Sequence, residues 1–93
     1  MSEKLYESEL FDMADQFIAV ANRLVQENDQ NMAKVGAAFR YAAARFSAHE
    51  ASLNSENLAE EKVKALAWFT EQYNNMLHKN LDQYIALQRE ENK

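Results

Sequence analysis

The chain has 93 residues and a formal charge of −5, with a single glycine, no proline and no cysteine. This length fits one domain, residues 1–93, and the scarcity of glycine and proline excludes most strand-and-turn folds, so we predict an all-α protein. The lack of cysteine excludes disulfides and thiol chemistry, and the acidic balance argues against binding to nucleic acid or to an anionic membrane surface.

The first predicted helix covers residues 9–27 and follows a polar arm, residues 1–7, from which Leu5 and Tyr6 are expected to reach the bundle. Ser8 is the predicted N-cap, because its hydroxyl can accept a backbone N–H of the first turn. Apolar residues then recur with helical period along one face: Leu10, Ala14, Phe17, Ala21 and Leu24. This face and its flanks take up about half of the circumference, which predicts contact with two neighbouring helices.

The second predicted helix covers residues 30–50, after a short polar break in which Asp29 is the expected cap. A connection this short usually joins antiparallel neighbours. One face carries an apolar stripe that ends in a histidine: Met32, Val35, Phe39, Ala42, Phe46 and His49. We expect Phe39 and Phe46 in the core, and Gly36 indicates close approach of a neighbouring backbone, because glycine is unfavourable inside a helix.

The third predicted helix covers residues 58–88, after a loop at residues 51–56. Asn57 with Glu60 three residues later resembles a capping box. The apolar stripe of this helix comprises Val63, Leu66, Phe69, Thr70, Tyr73, Leu77, Leu81 and Tyr84. Together the elements predict a three-helix, up-down-up antiparallel bundle with a long C-terminal helix.

The third helix, about 45 Å long, exceeds the first two, at about 30–33 Å. In an up-down-up bundle the excess falls at its C-terminal end, which carries four large apolar side chains: Leu81, Tyr84, Ile85 and Leu87. Either the helix shifts or bends to bury them, or a second copy of the chain covers them. We favour the second copy, and therefore a dimer.

No group of residues in the sequence predicts catalysis. Bundles that hold two metal ions use a glutamate three residues before a histidine, but Phe46 precedes His49 and Asn75 precedes His78. One glycine is too few for a phosphate-binding loop or a nucleophile elbow. We therefore expect a protein that is not an enzyme, with no catalytic residue, metal site or cofactor.

Two features are candidates for a binding role. Asp15 and Asn22 lie at one edge of the first apolar face, and Arg45 lies at the edge of the second, so the three form a candidate polar cluster. Three interpretations are open. The cluster fixes the register of the two helices, it lines a pocket for a small ligand, or its residues make no contact with one another. Tyr41 and Trp68 lie off the apolar faces and are candidate interface residues, since tryptophan is enriched at interaction hot spots.

Three blocks resemble a small bacterial family, domain of unknown function 3144, in order and spacing: FDMADQFIAVAN, YAAARFSA and WFTEQYNNMLHKNLDQYI. Trp68 stands where the family usually has tyrosine, and His49 replaces an apolar residue. The resemblance implies a short, soluble, helical protein and implies no activity. Five residues of interest fall within these blocks: Asp15, Asn22, Tyr41, Arg45 and Phe46.

These observations lead to a functional expectation with one alternative. The first ten residues lack the apolar segment of a signal peptide, and nowhere do 18 apolar residues follow one another. We expect a cytoplasmic protein that acts through protein–protein association, chiefly with itself. The alternative is a small-ligand-binding bundle with its pocket at Asp15, Asn22 and Arg45.

Overall fold

A computed structural model describes the backbone of residues 3–92 and the side chains of residues 7–92. The described backbone forms three α-helices and no strand: α1 (Glu3–Glu27), α2 (Met32–Leu53) and α3 (Leu58–Glu91). This confirms the predicted all-α class and the long last helix. The chain divides into two compact units, Met1–Phe46 and Ser47–Lys93, so that the boundary falls within α2.

The start of α1 differs most from the prediction. The helix begins at Glu3 rather than near residue 9, so Ser8 lies inside it and is not its N-cap. Glutamate, lysine and leucine in this segment all favour helix, and no glycine or proline interrupts them. A polar arm is therefore wrong for residues 3–7, while the side chains of Leu5 and Tyr6 lie outside the described residues.

The connection between α1 and α2 turns through two residues in the left-handed region, Asp29 at φ 57° and Gln30 at φ 62°. The backbone N–H of Gln30 donates to the carbonyl of Val25 at 2.9 Å, which closes the end of α1. Asn31 then caps α2, since its Oδ1 accepts the backbone N–H of Lys34 at 3.0 Å. Asp29 does not have this role, because an N-cap residue needs an extended backbone.

The C-terminus of α2 lies at Leu53, three residues beyond the predicted end. Two side chains bond to carbonyls of its last turn: Ser52 Oγ donates to His49 O at 2.6 Å, and Asn54 Nδ2 donates to Glu50 O at 3.1 Å. The second bond satisfies the Glu50 carbonyl, one of the last four carbonyls, which have no partner within the helix. The loop before α3 is correspondingly short, residues 54–57.

The N-terminus of α3 is capped as the sequence predicts. Asn57 Oδ1 accepts the backbone N–H of Glu60 at 3.3 Å. The second half of the predicted capping box is replaced, because the backbone N–H of Asn57 donates to Ser55 Oγ at 3.2 Å. From this cap α3 continues for 34 residues, a length of about 51 Å.

Burial is confined to one place in the described chain. Val25 and Val35, on either side of the first connection, are the only buried hydrophobic residues among the described side chains. Phe39 is 37% exposed and Phe46 is 68% exposed, so their predicted place in a core is wrong. No described residue of α3 is buried. The apolar faces of these helices are thus formed but largely uncovered.

No neighbouring backbone among the described residues lies close to the position of a Cβ at Gly36. The atoms nearest to a Cβ built at this position belong to the guanidinium group of Arg40, the closest at 3.3 Å. Arg40 lies one turn further along the same helix, and its side chain is flexible. The predicted close approach of backbones at Gly36 is therefore wrong.

Candidate functional site

The main candidate site is an apolar stripe on α3 that repeats every seven residues. Its members lie alternately three and four positions apart, and we name the stripe the α3 seam: Val63, Leu66, Thr70, Tyr73, Leu77, Asn80, Tyr84 and Leu87. This spacing averages 3.5 residues, which is the period of helices that supercoil around one another. Every residue of the α3 seam is exposed. The seam therefore has the pattern of a helix–helix interface without a partner on it.

The end of the seam includes two of the four residues that were expected to overhang. Tyr84 is 66% exposed and Leu87 52% exposed, and Leu81 and Ile85 beside them are exposed as well. All four side chains are thus exposed in the chain, and their cover by a second copy stays a prediction.

The apolar faces of α1 and α2 are also largely exposed. Leu10 and Phe17 on α1 and Met32 on α2 are exposed, although they lie on the apolar stripes of these helices. Burial increases toward the first connection, where Leu24 is partly covered and Val25 and Val35 are buried. Uncovered apolar surface is thus a property of all three helices.

Trp68 lies on the face of α3 opposite the seam. Its indole meets the ring of Phe69 edge-on, with centroids 4.9 Å apart and an interplanar angle of 87°. Edge-to-face contact is a favourable arrangement of two aromatic rings. Trp68 nevertheless stays 55% exposed, and its role at an interface stays a prediction.

The predicted polar cluster does not assemble around Arg45. The Arg45 guanidinium lies over the ring of Tyr41, 5.0 Å from its centroid, and its Nη2 donates to Tyr41 Oη at 3.4 Å. Asp15 and Asn22 are exposed, and neither bonds to Arg45. Tyr41 is the nearer partner because it lies four residues before Arg45 on the same helix. The ligand pocket stays a prediction, and the Asp15–Arg45 ion pair is not formed.

Charged groups elsewhere form few contacts. Arg23 and Glu27 make an ion pair of 3.0 Å on the exposed surface of α1. Among the described residues, no three histidine, aspartate or glutamate side chains come together in a way that would hold a metal ion. None of the described helices has the length and apolar character needed to cross a membrane.

Residues 10–85 match the family described as Protein of unknown function (DUF3144). The chain belongs to this family. The resemblance seen in the three sequence blocks is therefore confirmed. No curated protein and no solved structure matches the chain.

The DUF3144 match covers most of the site. It begins at Leu10 in α1, contains all of α2, and ends at Ile85 in α3. The α3 seam lies inside the match except for Leu87. Membership in a family of unknown function assigns no role to any of these residues.

The spacing of the α3 seam could have been found from the sequence. Its eight members are visible as a repeat of seven, although the stripe predicted from helical period does not contain Asn80 and Leu87. What the sequence does not contain is the exposure of the whole stripe, because periodicity shows which face needs cover and not what covers it.

Proposed function

We propose that this DUF3144 protein acts in the cytoplasm by associating with a second copy of itself and has no enzymatic activity of its own. The observation that carries the proposal is the exposure of the entire α3 seam. A helix in water draws most of its stability from packing of its apolar face. A 34-residue helix with no buried residue therefore needs a covering surface.

The composition supports a protein partner over other classes. A net charge of −5 opposes approach to phosphate backbones and to anionic lipid headgroups. Six of the eight exposed residues of the seam are leucine, valine or tyrosine, whose apolar surface gains free energy by leaving water. The predicted up-down-up antiparallel order of the three helices is part of the same proposal, with the α3 seam left to the second copy.

The absence of reactive sequence patterns supports the non-enzymatic part. The sequence has no cysteine, no glycine-rich loop and no glutamate–histidine pair at metal-binding spacing. The exposed arginine Arg45 is engaged by Tyr41. This contact is not a nucleophile–base pair of the kind that covalent catalysis requires.

Light scattering coupled to size-exclusion chromatography tests the proposal at micromolar concentration. We expect the mass of a dimer, 21.6 kDa as twice 10.8 kDa. Leu81→Glu should shift the protein toward the monomer, while Gln72→Glu adds the same charge on the face away from the seam and should leave the mass unchanged. A wild-type protein that runs as a monomer throughout would overturn the proposal.

A further inference from the structure

We infer that the α3 seam pairs with the α3 seam of a second copy in the antiparallel direction, with Val63 of one copy opposite Leu87 of the other. This inference rests on the proposed self-association and adds the surface, the direction and the register. It follows from the exposed side chains of α3 and from the order in which apolar and polar residues occur along them.

The two directions of pairing bring different residues together. In an antiparallel pair each position that begins a heptad lies opposite the fourth position of a heptad on the partner helix. Applied to α3, this rule gives four kinds of layer, each occurring twice: Val63 with Leu87, Leu66 with Tyr84, Thr70 with Asn80, and Tyr73 with Leu77. Three of these layers are formed by large apolar side chains, and the fourth joins the only two small polar residues of the seam.

The polar layer fixes the register. Asn80 Nδ2 already donates to the carbonyl of Met76 at 2.8 Å on its own helix, and its Oδ1 accepts no hydrogen bond from a described residue. The hydroxyl of Thr70 on the second copy can donate to that oxygen. A shift of one heptad would instead place Asn80 opposite Leu77 or Val63, where the buried amide oxygen loses this partner at a cost in free energy.

The residues that flank the seam are also self-complementary. At this register Lys62 of one copy lies beside Glu90 of the other, so opposite charges meet at both ends of the helix pair. Met76 lies at the two-fold axis beside Met76 of the second copy, where a flexible thioether fills space well. All three side chains are exposed in the chain.

The parallel direction lacks these features. It would place each seam residue opposite the same residue of the second copy. Lys62 of one copy would then lie beside Ala67 of the other, and Met76 beside Leu81, so that no charges of opposite sign meet. It would also bring the two N-terminal helix ends together, with Glu60 and Glu61 on each, whereas antiparallel helices place unlike ends of their dipoles side by side.

Distances between two spin labels test the direction. The chain has no cysteine, so Glu61→Cys and Asn75→Cys each give one labelling position. Both residues are exposed and lie on the face opposite the seam. In the antiparallel pair Asn75 lies opposite Asn75, with no offset along the axis, while Glu61 lies opposite Arg89, so the two labels at position 61 are about 42 Å apart along the axis.

We therefore expect a short distance at position 75 and a long one at position 61, measured by pulsed electron paramagnetic resonance on full-length protein with the mass of a dimer. Equal short distances at both positions would mean a parallel pair and would overturn this inference while leaving self-association intact. A dimer with long distances at both positions would place the interface on another surface and would overturn it in the same way. A monomer by light scattering would overturn the proposed function itself.

Discussion

The guanidinium group of Arg45 lies over the ring of Tyr41, 5.0 Å from the ring centroid, and donates a long hydrogen bond of 3.4 Å to the hydroxyl of the same residue. Both residues lie on the exposed surface of α2, one turn apart. The contact is thus local. It engages the guanidinium group of Arg45, which the sequence suggested for a pocket with Asp15 and Asn22.

Removal of the ring at position 41 is expected to lower stability slightly. Tyr41→Ala should reduce the free energy of unfolding by about 0.5–1 kcal/mol, the range for an exposed cation–π contact. Tyr41→Phe keeps the ring and should behave almost as the wild type, because the hydroxyl bond is long. Urea unfolding followed by circular dichroism measures both, and a double-mutant cycle with Arg45→Ala isolates the coupling. Zero coupling would show that the two side chains do not interact in solution.

Gly36 is predicted to be replaceable. Gly36→Ala should raise the free energy of unfolding by about 0.5–1 kcal/mol, because alanine loses less backbone entropy in a helix. The added methyl group meets only the flexible end of Arg40, at 3.3 Å. For a domain of this size the melting temperature should rise by about 2–8 °C.

The control for that substitution is Ala37→Gly, one residue further along the exposed part of α2, which should be destabilising by a similar amount. Lower stability of Gly36→Ala itself would contradict the structure, since it would mean that another backbone comes close to Gly36 in the folded protein.

The N-cap of α3 offers a third prediction. Asn57→Ala removes the oxygen that accepts the Glu60 N–H at 3.3 Å and should cost about 0.5–2 kcal/mol. Asn57→Asp keeps the acceptor and adds a negative charge at the positive end of the helix dipole, so it should be neutral or stabilising at low salt. Thermal unfolding of the two variants side by side gives the comparison. Equal melting temperatures for the alanine and aspartate variants would mean that the cap does not form.

The sequence predicted local structure where a side chain acts through a specific bond. Asn57 was found because an asparagine three residues before a glutamate, at the start of an apolar stripe, has few other roles. Ser8 misled because a serine inside a helix-forming segment looks the same as a cap. The two left-handed residues before α2 had no sequence signal, and the cap was therefore assigned to Asp29 in place of Asn31.

The sequence could not predict burial, for a different reason. The stripes that contain Phe39 and Phe46 have helical period, and this period was correct. Whether such a stripe is covered depends on which helices meet it, and that information is not contained in the stripe. The exposure of Phe46, Tyr84 and Leu87 therefore comes from the structure and not from the periodicity of the stripes.

The centre of the α3 seam is where a charge should disrupt association most. Leu77→Glu puts a carboxylate into two symmetry-related layers at once. Loss of one buried leucine costs about 1.5–3 kcal/mol, so two should raise the dimer dissociation constant by about 10²–10⁴-fold. Sedimentation equilibrium measures this constant. Asn75→Glu, which adds the same charge on the opposite face, is the matched control and should leave the constant within a few-fold of wild type.

Asn80 provides the last prediction, which separates stability from register. Asn80→Leu removes the polar side of the layer with Thr70 and makes the seam more apolar, so dimers should bind at least as tightly as those of the wild type. Pairings shifted by one heptad then lose their penalty, because no buried amide faces an apolar side chain. With a label at position 75, the distance distribution should become broader or gain a second maximum, while in Thr70→Ser, which keeps the hydroxyl, it should stay narrow. A single narrow distance in Asn80→Leu would show that the charges of Lys62 and Glu90, rather than the polar layer, set the register.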